Sequence, residues 1–295
     1  MENIKNRLHL GTMLRGNSRC VDYLEYIAKN GFESCQFHFW EHLRGMDLPW
    51  LSDQIHEKFA DHDIIVSALG VYGNPLKGDE SAEECLKTWY TLIDSAPLFG
   101  TDIVCGFTGR LPGKTIPDSL EIFKKIFIPI CEYAGDRDIR IAFENCSMDG
   151  TWDDGDWNIA ICPEAWELIF ESLPFENVGL EWEPGHAILQ FADPLKQLKD
   201  WMRKIFHIHG KDGSVDKEAL ALNGISGSKA NPIFRLPGYG DTNWKGVIDM
   251  LIKSDFSGSI DIEGFHDPVF NKEQEWQGQA FSLEFLKKIR EEHIS

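Results

Sequence analysis

The stretch VGLEWEPGH (178–186) decides the fold, because it joins a buried strand to a cluster of charged side chains. Its apolar residues are typical of a strand that is covered on both faces, as in a parallel sheet. Glu181 and Glu183 are two residues apart and therefore share one face of that strand, and His186 follows at a turn. Burying charge costs free energy unless the charge is paired or coordinated. The stretch therefore predicts a parallel strand that ends in a functional site.

Three further apolar runs end in the same way, each in a carboxylate or an imidazole side chain. In an α/β barrel the carboxyl ends of all strands converge on one open mouth, so ligands that are distant in sequence become neighbours in space. The four runs together therefore predict one site at that mouth. The three further runs are IAFEN (141–145, with Glu144), IFHIHGKD (205–212, with His207 and His209) and SIDIEGFHD (259–267, with Glu263).

Strand and helix patterns alternate along the whole chain, which is typical of a parallel sheet with crossover helices. Eight strands and eight helices are what a closed barrel needs, so we predict an α/β fold, a single (β/α)8 TIM-barrel domain over residues 1–295. The predicted strands are 8–14, 33–39, 64–71, 102–107, 139–145, 178–183, 205–210 and 258–263. The predicted helices are 19–30, 49–62, 81–97, 118–134, 163–172, 193–202, 243–254 and 273–292.

Two predicted connections, 146–162 and 211–242, are much longer than the others. They follow the strands that carry Glu144 and His209, and loops of this length in a compact domain usually act as lids or binding loops. Their aromatic residues predict either the walls of a sugar site or ordinary loop packing, and the sequence leaves both open. These aromatic residues are Trp152, Trp157, Phe234 and Tyr239.

The formal net charge of −19 excludes several classes of partner. Binding to a polyphosphate or to an anionic membrane begins with Lys and Arg side chains, and the 29 Lys and Arg residues are outnumbered by 48 Asp and Glu residues. We therefore expect neither a nucleic acid nor a membrane surface as a partner. The acidity itself is most simply explained by solubility.

The cysteines and the N-terminus predict a cytoplasmic protein. The seven cysteines are scattered without a CxxC motif or zinc-finger spacing, and most lie in apolar stretches, where a free cysteine behaves as a small buried side chain. The first residues lack the apolar segment of a secretory signal. A run of about 18 consecutive apolar residues, as a membrane span requires, does not occur in the sequence.

Two of the predicted strands carry residues whose role is either functional or structural. Glu181 is either a functional carboxylate or a layer residue inside the barrel, and the sequence leaves both open. His207 and His209 lie two residues apart on one strand face. Such a pair, followed by Lys211 and Asp212, favours a function over two core histidines.

At its four strand ends the chain resembles the sugar phosphate isomerase/epimerase superfamily with the xylose-isomerase-like barrel. That superfamily carries a Glu after strand five, an acidic residue three positions before a His after strand six, a His before a Lys-Asp pair after strand seven, and a Glu after strand eight. The resemblance extends over essentially the whole chain. The residues in these places are, in order, Glu144, Glu183, His209 and Glu263.

The resemblance implies one divalent metal ion bound by these four residues, Mn²⁺ first, with Mg²⁺, Co²⁺ or Zn²⁺ as variants. It also implies that His186 binds substrate. Three features depart from the pattern. The acid after strand six is commonly Asp rather than the longer Glu183, and Lys211 is the nearest cation where some epimerases place an Arg. The region after Glu263 reads Gly-Phe-His-Asp, where relatives often carry further acidic residues or an apolar pair. The further candidate substrate-binding residues are Lys211, His38, Trp182 and His266.

The implied reaction begins by moving a proton at a carbon next to a carbonyl group. A metal that chelates the carbonyl stabilises the resulting enediolate as a Lewis acid. Glu144 and Glu263 fit the two proton-transfer groups, one on each face of the carbon. Return of the proton on the other face gives epimerisation, and return at the neighbouring carbon gives isomerisation. We therefore predict a metal-dependent isomerase or epimerase of a small carbohydrate, a keto-sugar or a related polyol.

Three alternatives stay open at this point. The same proton abstraction leads to a lyase if water is lost, as in inosose dehydratases, or if a 3-keto-glycoside is cleaved by β-elimination. A nuclease of the AP-endonuclease type uses this barrel with a three-metal cluster and a basic groove, which the charge of −19 disfavours. The third alternative is a non-catalytic sugar-binding barrel, which a metal assay separates from the enzymes. A homo-oligomer is compatible with each of these functions.

Overall fold

Ten strands are present in the computed structural model, which describes residues 7–17, 19–225, 227 and 232–293. Eight of them close a parallel barrel in the order β1, β10, β7, β6, β5, β4, β3, β2, and β8 and β9 form a separate antiparallel pair. The strands are β1 (Leu8–Arg15), β2 (Ser34–Trp40), β3 (Ile65–Tyr72), β4 (Ile103–Gly106), β5 (Arg140–Glu144), β6 (Val178–Trp182), β7 (Ile205–Gly210), β8 (Asp212–Ser214), β9 (Ile233–Arg235) and β10 (Gly258–Ile262).

Helices alternate with the barrel strands, and several begin at a residue whose side chain accepts a backbone N–H of the first turn, such as Asp47 and Thr115. In the described part of the chain, none of them is long and apolar enough to cross a membrane. The helices are α1 (Cys20–Lys29), α2 (Leu48–Phe59), α3 (Glu80–Ser95), α4 (Ile116–Gly135), α5 (Pro163–Ser172), α6 (Pro184–Leu189), α7 (Pro194–Trp201), α8 (Lys217–Asn223), α9 (Trp244–Lys253) and α10 (Glu275–Glu292).

The predicted α/β barrel is confirmed, and each barrel strand begins and ends within one residue of its predicted bounds. The structure adds α6, which the sequence did not predict because six residues are too few to show helical periodicity. It also shows that the connection 211–242 contains β8, α8 and β9. The connection 146–162 contains no helix or strand, as predicted.

Alternation along β5 shows how a strand places a functional side chain. The ring centre of Phe143 lies 5.0 Å from that of Phe127 in α4 and 6.3 Å from that of Trp89 in α3, so Phe143 packs against the surrounding helices. Because successive side chains of a strand point to opposite faces, Ala142 and Glu144 face the barrel interior. The apolar residue thus anchors the strand from outside, and the carboxylate lies on the inner face.

The described residues form two compact units. The first unit consists of those within 1–12, 183–202 and 208–295, and the second of those within 13–182 and 203–207. Each unit contains barrel strands. A single domain over the whole chain stays a prediction.

Candidate metal centre

Residues 183–186 (Glu-Pro-Gly-His) form the start of α6. Glu183 follows β6 with an extended backbone, and Pro184 occupies the first helical position, where its missing N–H is tolerated. Gly185 donates its N–H to the carbonyl oxygen of Lys211 at 3.1 Å, and a Cβ atom there would lie 2.9 Å from the carbonyl oxygen of Asp212. Glycine is needed for this close approach, which brings Glu183 next to the residues that follow β7.

Glu183, His209 and Glu263 meet in the first unit, and each offers one ligand atom within 4.8 Å of the others. The Nδ1 atom of His209 lies 3.7 Å from Oε2 of Glu183 and 3.4 Å from Oε2 of Glu263. Glu263 is the most exposed of the three, at 5%. Three of the four predicted metal ligands therefore form one buried cluster.

Lys211 supplies positive charge beside the two carboxylates. Its Nζ atom lies 2.6 Å from Oε1 of Glu263 and 3.9 Å from Oε1 of Glu183. The same Nζ atom lies 4.2 Å from the ring centre of Phe234, within the range of a cation–π interaction. Since Lys211 is only 3% exposed, these groups rather than water compensate its charge.

Burial and neighbouring charges set the protonation of two side chains. Burial alone would raise the pKa of the Glu263 carboxyl, but the positive Lys211 and the neighbouring His209 lower this pKa to about 2. Burial, aided by Lys211, lowers the pKa of the His186 imidazole to about 3. At neutral pH Glu263 is therefore ionised and His186 is neutral. The 3.3 Å contact between Nε2 of His186 and Oε1 of Glu183 is consequently not an ion pair.

The donor atoms of the cluster suit a divalent cation. The Oε2 atom of Glu263 is buried and accepts no hydrogen bond from any residue that the structure describes. Carboxylate oxygens and imidazole nitrogens are common ligands of Mn²⁺, Mg²⁺, Co²⁺ and Zn²⁺, and the cluster contains no thiolate. The residues thus fit the metal ion that the sequence resemblance implies.

Glu144 is the last residue of β5 and is buried in the second unit. Asn158 donates hydrogen bonds of 2.8 Å to the backbone carbonyl groups of Glu144 and Cys146. Its Oδ1 atom accepts a hydrogen bond of 2.6 Å from the hydroxyl of Thr108. The connection 146–162 therefore folds back and fixes the backbone at Glu144. The sequence did not indicate Asn158, because a single Asn in a loop carries no spacing signal.

Glu181 belongs to a buried polar layer inside the barrel. Its Oε1 atom accepts a hydrogen bond of 2.5 Å from Gln36, and its Oε2 atom accepts one of 2.7 Å from the hydroxyl of Tyr72. The Nδ1 atom of His207 lies 3.0 Å from the same Oε1. Burial and the Glu181 charge raise the pKa of Tyr72 well above its usual range, so Tyr72 remains a donor. This placement favours the layer role for Glu181, and His207 lies in the same layer. A function for His207 stays a prediction.

Phe234, in β9, contacts three of the predicted substrate-binding residues. Its ring centre lies 5.1 Å from that of His186 and 6.0 Å from that of His266, and Lys211 lies over its face. His266 is exposed and has a φ of 71°, which few residues other than Gly adopt. The connection 211–242 thus reaches the cluster through Phe234, and substrate binding by these residues stays a prediction.

The two remaining predicted substrate-binding residues lie in the second unit. His38 is half-buried, and its ring stacks on Tyr72 with the ring centres 4.5 Å apart. Trp182 is fully buried at the end of β6, and its contact with a substrate stays a prediction.

The aromatic residues of the two long connections contact other aromatic rings or are half-buried. Trp157 lies 5.4 Å from Trp40, ring centre to ring centre. The other predicted wall aromatics are Tyr239, which contacts Phe270, and the half-buried Trp152.

The fold and the cluster define a class of protein, an α/β barrel with carboxylate and imidazole ligands at its strand ends. The family model described as the xylose isomerase-like TIM barrel matches residues 24–289. The chain belongs to this family. The resemblance inferred from four short strand ends is therefore confirmed over most of the chain.

Individual proteins match this chain either over about a third of its length or at low sequence identity. An inosose dehydratase of Lactiplantibacillus plantarum is 34% identical over 94 residues, which cover 31% of this chain and 31% of that protein. The matches thus span about a third of the length of such curated relatives. A xylose isomerase domain protein from Planctomyces limnophilus has a TM-score of 0.73 at 17% identity, covering 97% of this chain and 98% of that chain. A D-psicose 3-epimerase has a TM-score of 0.70 at 14% identity, covering 96% and 99%.

The low pKa of His186 predicts that the metal-free protein loses stability in mild acid. The unfolded chain takes up this proton near pH 6.5 and the folded chain only near pH 3, so stability falls as the pH decreases between these values. At pH 5 the loss in the free energy of unfolding is about 2 kcal/mol, because one pH unit corresponds to about 1.4 kcal/mol. Urea unfolding at pH 7 and pH 5 measures this difference.

Two variants test whether His186 causes the loss of stability in mild acid. His186→Gln should reduce the loss of stability between pH 7 and pH 5 by about 2 kcal/mol, since its amide does not titrate in this range. His62→Gln changes an exposed histidine and should keep the wild-type pH dependence. An unchanged pH dependence in His186→Gln would contradict the assignment.

Removing His209 should weaken metal binding, whereas removing His186 should leave it almost unchanged. The reason is that Nδ1 of His209 lies between two carboxylate oxygens, at 3.4 Å and 3.7 Å. We expect His209→Ala to bind Mn²⁺ less tightly by more than the roughly 10- to 100-fold that loss of an outer partner costs. Calorimetric titration of chelator-treated protein measures both variants. If His186→Ala lost the metal and His209→Ala kept it, the two assignments would be wrong.

Proposed function

We propose that this protein is a divalent-metal-dependent enzyme that removes a proton next to the carbonyl group of a small carbohydrate and forms an isomer or an epimer. The observation that carries the proposal is the buried cluster of Glu183, His209 and Glu263 at the carboxyl ends of the neighbouring strands β6, β7 and β10. The family match supports an enzyme of this class. A solved protein of similar fold is a D-psicose 3-epimerase, which agrees with a keto-sugar as substrate.

Glu144 is the fourth metal ligand in this proposal. It ends β5, and the carboxyl ends of parallel barrel strands open on the face where barrel enzymes carry their active sites. Three carboxylates and one imidazole would then hold the ion, with Mn²⁺ as the first choice and Mg²⁺, Co²⁺ or Zn²⁺ as variants. When bound, the cation supplies Lewis-acid polarisation of the substrate carbonyl.

The side chains of this protein supply the proton transfer. In the proposal Glu144 and Glu263 are the two catalytic bases, one for each face of the substrate carbon. Glu263 is ionised at neutral pH and can therefore accept a proton. His186 is neutral, so it can hydrogen-bond a substrate hydroxyl without adding charge to the site. Return of the proton to the opposite face completes an epimerisation, and return to the neighbouring carbon completes an isomerisation.

Dehydration is a second candidate, and the contact between Lys211 and Glu263 favours it. One oxygen of Glu263 lies 2.6 Å from the Lys211 ammonium group, which weakens this carboxylate as a base. A dehydratase needs only one strong base. Glu144 would remove the proton, and the hydroxyl group on the next carbon would leave as water after protonation by an acid of the site. The local match to an inosose dehydratase agrees with this reaction.

We also propose a location in the cytoplasm and a small molecule as the partner. The structure describes all seven cysteines and joins none of them in a disulfide bond, which agrees with a reducing compartment such as the cytoplasm. The substrate is a small carbohydrate or a related polyol, with neither nucleic acid nor membrane as a partner. A homo-oligomer stays a prediction from the sequence.

Replacing Glu144 by Gln tests its role as a base. The amide preserves the size of the side chain and one coordinating oxygen, but it cannot accept the proton. The rate of proton abstraction should therefore fall by about 10²- to 10⁴-fold. Exchange of substrate protons with D₂O, followed by NMR over a panel of keto-sugars and inososes with Mn²⁺-loaded protein, measures this rate and identifies the substrate class.

Glu164→Gln, which changes an exposed residue of α5, is the matched control and should keep the wild-type rate. Turnover near the wild-type rate by a Glu144→Gln protein that still binds Mn²⁺ would show that Glu144 is a ligand and not the base. The product separates the two candidate reactions. An epimer or isomer has the mass of the substrate, whereas dehydration lowers that mass by one water.

A further inference from the structure

Glu183 and Glu263 each direct one carboxylate oxygen to Lys211 and the other to His209. For Glu263, Oε1 lies 2.6 Å from Nζ of Lys211, and Oε2 lies 3.4 Å from Nδ1 of His209. For Glu183, Oε1 lies 3.9 Å from the same Nζ, and Oε2 lies 3.7 Å from the same Nδ1. The carboxylates therefore offer one pair of oxygens to the ammonium group and the other pair to a cation bound by His209.

Lys211 is held in this position by its surroundings. Its carbonyl oxygen accepts a hydrogen bond of 3.1 Å from Gly185. The next residue, Asp212, is anchored by a hydrogen bond of 2.9 Å from the indole of Trp244. The Phe234 ring lies against the ammonium group, and the side chain of Lys211 is buried. Lys211 is therefore a fixed charge of the site and not a mobile surface lysine.

We propose that Lys211 is a built-in counter-cation that shares the carboxylates of Glu183 and Glu263 with the metal ion and thereby weakens metal binding. This inference rests on the proposed function in one respect, namely that the site binds a divalent cation. It gives Lys211 a role other than the substrate contact that the sequence suggests. In this proposal Lys211 sets metal affinity through its contacts with the carboxylates of Glu263 and Glu183.

The sign of the effect follows from electrostatics. Two cations that share one pair of carboxylates lie close together, and their repulsion is screened much less in a buried site than in water. Removing the ammonium charge should therefore increase the attraction of the site for a divalent ion. In the metal-free protein the same change leaves two buried carboxylates with less compensation, which is destabilising. Lys211 thus lowers metal affinity and stabilises the metal-free protein.

Other roles of Lys211 predict different results. A lysine that only oriented the carboxylates for the metal would, when removed, weaken metal binding by about 10- to 100-fold. A lysine that contacted substrate alone would leave metal affinity unchanged and would raise KM. The direction of the change in metal affinity therefore separates the three roles without any measurement of activity.

The test is a calorimetric titration of the chelator-treated full chain with Mn²⁺, together with its thermal melting without metal. Lys211→Met and Lys211→Gln remove the charge and should bind Mn²⁺ at least about tenfold more tightly, with a lower metal-free Tm. Lys211→Arg keeps the charge and should resemble the wild type in both measurements. Lys245→Met is the matched control, because Lys245 forms an exposed ion pair of 2.8 Å with Glu292. This replacement should change neither the Mn²⁺ affinity nor the metal-free Tm.

Unchanged or weaker Mn²⁺ binding by the charge-removing variants would overturn the inference, and so would tighter binding by Lys211→Arg. If Lys211→Met does not fold, Lys211→Gln decides, because it keeps a hydrogen-bond donor for Glu263. Failure of both the wild type and Lys211→Gln to bind Mn²⁺ would instead refute the proposed metal-dependent function. The two failures are therefore distinguishable.

Discussion

The 2.6 Å contact between the Lys211 ammonium group and the Glu263 carboxylate is the interaction on which the candidate site depends. Glu183 and Glu263 are almost completely removed from water, and an isolated buried carboxylate is penalised by several kcal/mol. Lys211 and His209 supply the polar surroundings that keep Glu263 ionised. A divalent cation would add to this compensation, which is why the same groups suit a metal site.

Backbone contacts around the cluster hold the charged side chains in position. Gly185 lets the start of α6 approach the backbone of Lys211 and Asp212, where a Cβ atom would lie 2.9 Å from a carbonyl oxygen. Asp212 accepts hydrogen bonds from its neighbours and so fixes the chain after β7. Elsewhere, Asn158 fixes the backbone at Glu144. Backbone contacts thus set the positions of the charged side chains, and the barrel strands set their order.

The barrel could be predicted from the sequence because its strands are buried on both faces and are separated by amphipathic helices. The strand β5 is an example: Phe143 contacts helices and Glu144 faces inward, so five residues of sequence indicate both the strand and a candidate site residue. That Glu183, His209 and Glu263 lie close together could be predicted because they are at the carboxyl ends of barrel strands, which the topology brings together.

Other parts of the site have no recognisable pattern in the sequence. The helix α6 is too short for a periodic pattern, and the hydrogen bonds of Asn158 join residues 14 and 50 positions away. The layer around Glu181 likewise depends on Gln36 and Tyr72, which are ordinary strand residues by sequence. Contacts between residues far apart in the chain, with no repeated spacing, are visible only in the folded protein.

The central claim is that Glu183, His209 and Glu263 hold one divalent cation. Anomalous X-ray scattering at the manganese edge, from crystals grown with Mn²⁺, tests it most directly. We expect one anomalous peak per chain, bonded to Nδ1 of His209 and to one oxygen each of Glu183 and Glu263. A Mn²⁺-saturated crystal with no peak at these atoms, or with its peak bonded only to residues outside this set, would contradict the claim.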